Sequence, residues 1–231
     1  MKHIPNAITC CNLICGCVAA GFAFQGNYAL ALAFIIAGAV FDFFDGFAAR
    51  LLRVSSPMGK ELDSLADDIT FGLAPATIVY SLLRETAVPM PCAWLDAFVP
   101  YAAFLIAAFS ALRLAKFNID ERQASTFYGL PTPANALFWS ALAYGAHDWL
   151  VAFPHTFWLL LVGIVLSCYI LVADIPMFAL KFKSFGWQGN GLRYSFIVAA
   201  AALLLLLGWS GFSVVIVLYI LLSLIACRVK A

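Results

Sequence analysis

The sequence predicts an all-α, polytopic membrane helix bundle of about eight transmembrane helices, built as one domain over residues 1–231. Three observations lead there. The chain is 65% apolar, 15% aromatic and only 11% charged, where a soluble domain is about one quarter charged. Apolar windows close to the roughly 20 residues that cross a hydrocarbon core recur along the whole length. The basic residues sort to one side of those windows, as expected when Lys and Arg stay in the cytoplasm. The net charge of +1 says little beside this asymmetry, and no nucleic-acid partner is expected. No repeat, low-complexity tract or linker divides the chain.

The windows fall near 6–24, 28–52, 63–84, 98–117, 132–152, 156–175, 193–208 and 211–227. Pro5, Asn6 and Asn12 interrupt the first and a single basic residue precedes it, so Cys15 after Leu13-Ile14 does not read as a cleavage site. Between the second and third windows, Ser56-Pro57 predicts a helix stop and restart, with Ser56 as N-cap and Pro57 at the first helical position. The third window ends at Arg84, before a loop at 85–97 that holds Glu85, Asp96, Trp94 and two prolines. With the N-terminus inside, the cytoplasmic side collects Lys2, Arg50, Arg53, Lys60, Arg113, Lys116, Arg122, Lys181, Lys183, Arg193, Arg228 and Lys230, and of 13 basic residues only Arg84 lies opposite. Both termini are therefore expected to face the cytoplasm, in the cell's inner (cytoplasmic) membrane. Trp94, Trp149 and Trp158 are expected as interfacial anchors. His3, His147 and His155 receive no catalytic role. The cysteines at 10, 11, 15, 17, 92, 168 and 227 form no pair of CxxC motifs and read as small packing residues.

Four carboxylates interrupt this apolar pattern. Asp42, Asp45, Gly46 and Ala49 fall at i, i+3, i+4 and i+7 and share one helix face. Gly59, Asp63 and Asp67 follow at i, i+4 and i+8, again on one stripe. An aspartate at the bilayer centre costs roughly 2.5–3.5 kcal/mol, so four cost on the order of 10 kcal/mol unless cations or water compensate. Two adjacent helices carrying two aspartates each can face one another, and the small residues leave room for a ligand. Facing carboxylates on a bundle are a way to build a two-metal site, and hard oxygen ligands favour Mg2+, Mn2+ or Ca2+ over zinc. The other reading of the acids is an ionic collar with Arg50, Arg53 and Lys60. Asp68 lies about 100° around the helix from Asp67 and is expected to leave the stripe.

The pattern D-x2-D-G-x2-A-R-x8-G-x3-D-x3-D, complete here as Asp42, Asp45, Gly46, Ala49, Arg50, Gly59, Asp63 and Asp67, resembles that of the CDP-alcohol phosphotransferases. The resemblance implies that family's fold, with two divalent ions, Mg2+ or Mn2+, on Asp42, Asp45, Asp63 and Asp67, Ca2+ being a non-productive occupant. It implies that Asp67 also serves as general base, that the ions hold the diphosphate of a CDP-linked donor, and that CMP leaves as a hydroxyl attacks phosphorus. A positioned base is what a primary alcohol needs to become a nucleophile. The donor group expected around the nucleotide is Asn6, Thr9, Gly46, Ala49, Arg50 and Gly59. Its first two members come from Pro5-Asn6-Ala7-Ile8-Thr9-Cys10-Cys11-Asn12-Leu13-Ile14-Cys15-Gly16, which resembles the family's PNxxTxxNxxxG start; helix capping by Asn6 or Thr9 is the alternative.

Phe71-Gly72-Leu73-Ala74-Pro75-Ala76, Arg113-Leu114-Ala115-Lys116-Phe117-Asn118 and Gly129-Leu130-Pro131-Thr132-Pro133-Ala134-Asn135 are similar to stretches of the members that use serine as acceptor. The function so implied is phosphatidyl transfer from CDP-diacylglycerol to L-serine, with membrane lipids and a second copy in a homodimer as further partners. Arg113, Lys116 and Asn118 are candidates for a zwitterion pocket, and ordinary positive-inside anchoring also accounts for the two cations. Lys181, Lys183 and Arg193 are candidates for lipid phosphate, or are set by topology alone. A sibling enzyme using glycerol 3-phosphate or inositol phosphate would need a denser basic pocket. A cation transporter or channel would spread its acids along a pathway instead of gathering them at one end of two helices.

Overall fold

The computed structural model describes residues 3–54, 56–86, 92–120, 127–177, 186 and 190–230. Helices α1 (His3–Phe24) and α2 (Tyr28–Leu51) form a hairpin. Its turn places Gly26 at φ +70°, a conformation that glycine adopts without steric cost. Asn27 then caps α2 by accepting from the Leu30 N–H at 3.1 Å. Helix α3 (Pro57–Asp67) restarts where the sequence predicts, with the Ser56 hydroxyl accepting from the Gly59 N–H at 3.0 Å. It continues through a π-helical turn, Asp68–Leu73, into α4 (Ala74–Glu85).

The second half begins with α5 (Ala93–Phe98), which runs through a 3-10 stretch, Val99–Phe104, into α6 (Leu105–Ile119). Helices α7 (Thr132–Gly145), α8 (His147–Ala152) and α9 (Thr156–Val172) follow, then α10 (Gly191–Leu207) and α11 (Gly211–Lys230), which turn at Gly208–Ser210 and pack on one another. Strand β1 (Phe127–Tyr128) pairs antiparallel with β2 (Pro176–Met177), Phe127 opposite Met177, the one sheet among the described residues. The architecture is otherwise all-α, as expected.

The expected count of eight spans is not established. Among the described residues four stretches are long and apolar enough to cross a membrane by length and composition: His3–Phe24, Tyr28–Leu51, Trp94–Ile119 and Gly191–Ile225, with Thr156–Val172 a shorter apolar helix. The predicted span 63–84 carries its acids within the helix, and the predicted span 132–152 is broken at Ala146. Trp94, Trp149 and Trp158 are all exposed on the surface, as interfacial anchors must be.

Small residues let the first helices meet closely. A Cβ on Gly16 would lie 2.5 Å from Thr70 Oγ1 and 2.7 Å from Thr70 Cα, and one on Gly38 would lie 2.5 Å from Thr70 Cγ2. Thr70, fully buried, donates its hydroxyl to the Asn12 carbonyl at 2.9 Å. Such contacts between small residues and hydroxyls are how helices associate where lipid removes the hydrophobic drive between them. Ser81 repeats the device further along by donating to the Ala23 carbonyl at 2.8 Å. Across the bundle, Trp139 lies over Gly163, its indole donating to Ser167 Oγ at 2.9 Å, and Ser167 donates to Asn135 Oδ1 at 3.0 Å.

At the end of the bundle carrying Arg84, Glu85 ties three elements together. Tyr28 donates to its Oε1 at 2.5 Å and His147 Nε2 lies 2.8 Å from its Oε2. The start of α2, the end of α4 and the start of α8 are thus fastened by one carboxylate, far along the chain from the acidic signature.

The crossing at Thr70 makes a direct prediction. Gly16→Ala overpacks it and should cost about 1–3 kcal/mol, read as a fall of about 2–10 °C in the unfolding midpoint of the purified protein. Gly21→Ala, where an added Cβ meets nothing within 4 Å, should leave the midpoint unchanged or raise it. Equal midpoints for the two variants would contradict the role given to the crossing.

Candidate active site

The site lies where α2, α3 and the start of α1 converge. Asp42 on α2 and Asp63 and Asp67 on α3 each bring a carboxylate oxygen within 4.8 Å of the others. Two stripes that the spacing only placed on separate helix faces are therefore one cluster. Repulsion among three carboxylates at this separation is relieved by a bound cation, and an all-oxygen set without thiol or imidazole suits a hard divalent ion. Asp45 stands one step aside. It is buried and accepts from Thr9 Oγ1 at 2.6 Å, and with Asp63 it lines a cavity of about 260 Å³.

That cavity is also lined by Asn6, Thr9, Gly46, Ala49 and Gly59, so it gathers five of the six residues expected around the nucleotide. Arg50, the sixth, is exposed, with Nη1 3.7 Å from where a Gly46 Cβ would sit. At Gly59 a Cβ would come 3.1 Å from Ser56 Oγ and 3.2 Å from Asn6 Oδ1. Glycine here keeps the cavity wall open. Asn6 and Thr9 lie within α1 (His3–Phe24), and the Thr9 hydroxyl is directed to Asp45. The ionic collar is absent. Among the described residues no ion pair joins the four aspartates to Arg50, Arg53 or Lys60, and Lys60 Nζ donates instead to the Asn118 carbonyl at 3.2 Å.

Asp67 has a fixed partner. Asn12 Nδ2 donates to its Oδ1 at 3.1 Å, which orients the carboxylate and leaves its second oxygen for other work. Arg113 is 7% exposed and lies within electrostatic range of Asp67 and of Tyr219 on α11, with its guanidinium 5.3 Å above the Phe117 ring. The other two members of the expected acceptor group are occupied elsewhere. Lys116 Nζ pairs with Asp174 at 2.9 Å and donates to the Val172 carbonyl at 3.0 Å, bracing α6 against the end of α9. Asn118 Nδ2 donates to Ser64 Oγ at 2.7 Å and braces α6 against α3. Arg193 donates to Asn190 Oδ1 at 2.6 Å. Lys181 and Lys183 lie outside the described residues.

Asp68 leaves the stripe, as its helical angle requires, and it does not reach solvent fully: its Oδ1 is buried without a hydrogen-bond partner. Asn12 belongs to the polar PNxxTxxNxxxG start of α1, one helical turn after Thr9, and Tyr219 is the neighbour of the site that the sequence reading did not single out. Nothing local marks Tyr219, which arrives from a helix more than 100 residues away.

Comparison with known proteins agrees with this geometry. Residues 2–169 of the 231 match the model of the CDP-alcohol phosphatidyltransferase family, a span that contains the whole carboxylate cluster and ends within α9. The chain is 41% identical over 137 residues to the CDP-diacylglycerol–serine O-phosphatidyltransferase of Bacillus subtilis, covering 58% of this chain and 71% of that protein. It is 33% identical over 189 residues to the protein of the same name from Mycobacterium leprae, covering 77% of this chain and 58% of the relative, so less than two thirds of the latter's length is spanned. A yeast protein of that name is 39% identical over 120 residues. The helices long and apolar enough to cross a membrane make this an integral membrane protein, and the matched span together with the clustered acids shows that the chain belongs to the CDP-alcohol phosphatidyltransferase family.

Proposed function

We propose that the protein, acting as a single membrane domain, transfers the phosphatidyl group of CDP-diacylglycerol to the hydroxyl of L-serine, giving phosphatidylserine and CMP. The observation that carries this reading is the carboxylate cluster of Asp42, Asp63 and Asp67 beside a cavity walled by small residues, in a chain whose relatives bear that activity in their names. Two divalent ions, Mg2+ or Mn2+, held by Asp42, Asp45, Asp63 and Asp67, would supply charge neutralisation at the donor's diphosphate and Lewis-acid stabilisation of attack and departure.

The chain's own residues do the rest. Asn6, Thr9, Gly46, Ala49 and Gly59 shape the cavity that receives the cytidine end of the donor, and Thr9 holds Asp45 toward it. Arg50 at the rim offers a cation to the diphosphate. Asp67, its Oδ1 taken by Asn12, presents the other oxygen to remove the proton from the serine hydroxyl as that oxygen attacks phosphorus. Arg113 holds the serine carboxylate. Lys116 and Asn118 act at one remove, by keeping α6 and therefore Arg113 in place against α3 and α9. The distribution of Lys and Arg supports a site that opens to the cytoplasm from the inner membrane, and the broad apolar outer surface supports contact with lipid and with a second copy in a homodimer.

Asp67→Asn should lower kcat by about 10²–10⁴-fold, the usual weight of a general base, while retaining donor binding. Asp42→Asn should lose metal and donor together. Equal loss of donor binding in both variants would refute the division of roles.

Chelation with EDTA should abolish CMP release, Mg2+ or Mn2+ should restore it, and Ca2+ should occupy the site without turnover. With CDP-diacylglycerol as donor, CMP should appear with L-serine and hardly at all with glycerol 3-phosphate or inositol phosphate; the reverse preference would overturn the acceptor and leave the metal site standing. For orientation, Cys92 is exposed between α4 and α5. As the one remaining thiol it should react with an impermeant maleimide in intact cells, and labelling only after permeabilisation would invert the topology.

A further inference from the structure

Burying a polar atom without a partner is costly, and such atoms in a native fold call for an explanation. Among the described residues the buried side-chain atoms without one include Asp68 Oδ1, Ser110 Oγ, Arg113 Nε, Thr132 Oγ1 and Asn135 Nδ2. These five are not scattered. They sit on the π-helical turn, α6 and α7, three segments packed against one another. Ser110 is 0% exposed, Thr132 and Asn135 1% each and Arg113 7%, so bulk water does not reach them.

Asp68 and Ser110 meet at Gly72. A Cβ there would lie 2.6 Å from Asp68 Oδ1 and 3.0 Å from Ser110 Cβ, so only glycine lets the Asp68 carboxylate and Ser110 approach this closely. Arg113 follows Ser110 by one turn of α6 and lies within electrostatic range of Asp67. The π-helical turn begins at Asp68, so Asp67 belongs with the carboxylate cluster while Asp68 turns toward α6.

The chemistry of these atoms selects a ligand class. Four of the side chains are hydrogen-bond donors and one offers a carboxylate oxygen. A phosphorylated alcohol would satisfy the donors and be repelled by Asp68. A simple amine would satisfy Asp68 and leave Arg113 unmatched. A compact zwitterion, with ammonium and carboxylate a few ångströms apart, satisfies both.

We propose that Asp68 is the specificity-determining residue that binds the acceptor's ammonium, in a buried subsite completed by Ser110, Thr132, Asn135 and the carboxylate-binding Arg113. The inference rests on serine being the acceptor. It adds a three-point recognition of that acceptor: hydroxyl at Asp67, ammonium at Asp68, carboxylate at Arg113. Three distinct contacts to the substituents of one carbon centre distinguish the two enantiomers.

The test uses the purified full chain with Mn2+ and CDP-diacylglycerol, following CMP release. L-Serine is the substrate, and 3-hydroxypropanoate, which lacks the ammonium, and ethanolamine, which lacks the carboxylate, are measured as competing ligands. Asp68→Asn should raise KM for L-serine at least tenfold and shrink the preference for serine over 3-hydroxypropanoate by a similar factor, while the preference over ethanolamine persists. Arg113→Gln should also raise KM for L-serine, but shrink its preference over ethanolamine while the preference over 3-hydroxypropanoate persists. Ser110→Ala, which removes a hydroxyl from a close-packed position, should raise KM several-fold at nearly constant kcat, and it carries the test if Asp68→Asn does not fold.

A wild-type protein that ignores L-serine would overturn the proposed reaction, and this subsite with it. A wild-type protein that uses L-serine, with Asp68→Asn and Ser110→Ala changing all three ligands alike or none of them, would overturn the subsite alone and mean that these atoms are satisfied by water.

Discussion

The close approach of the π-helical turn to α1 and α2 at Thr70 is the constraint on which the rest depends. Gly16 and Gly38 have no side chains to hold those helices apart, so Thr70 enters between them and bonds the Asn12 carbonyl. That bond fixes the depth of α3 relative to α1. Asn12 can then reach Asp67 with its amide, and Thr9, one turn earlier, can reach Asp45 on α2. The acids come together because the backbones of three helices are locked a few residues away, by contacts that are apolar or internal and do not depend on the charges they organise.

The bundle is polarised. One end concentrates carboxylates beside an open cavity, and the other is closed by Glu85 with Tyr28 and His147. Both ends place acidic groups close to hydrocarbon, at a cost that demands compensation. At the closed end the compensation is internal, from a hydroxyl and an imidazole. At the open end Thr9 and Asn12 donate to Asp45 and Asp67, and among the described residues no ion pair reaches the three clustered oxygens. The difference between a satisfied carboxylate and an under-satisfied one distinguishes a fastening from a site.

Much of this was legible in the residues. The i, i+3, i+7 and i, i+4, i+8 stripes located Asp42, Asp45, Asp63 and Asp67, because helical periodicity alone sets which side chains share a face. The Ser56-Pro57 restart was readable from local capping chemistry. What escaped was tertiary. For Lys116 and Asn118, which the sequence left open between acceptor binding and anchoring, the partners Asp174, Val172 and Ser64 come from α9, the residues after it and α3. The π-helical turn has no sequence signature, and without it Asp68 could be placed off the stripe but not against α6. Counting apolar windows left the number of spans open, because a hydropathy window does not register the helix break at Ala146 or the packing of α3 inside the bundle. Asn12 was legible as part of the PNxxTxxNxxxG start, but its partner Asp67 comes from another helix and appears only in the fold.

The central claim is that the clustered aspartates are a divalent-metal site, and electron paramagnetic resonance of the purified protein titrated with Mn2+ tests it most directly. Two metals held about 3.5–4 Å apart, as in two-metal phosphoryl-transfer sites, should give a spin-coupled signal in the wild type that disappears in Asp63→Asn along with CMP release. Binding of Mn2+ that is unchanged by Asp63→Asn, or full CMP release with no bound metal, would contradict it.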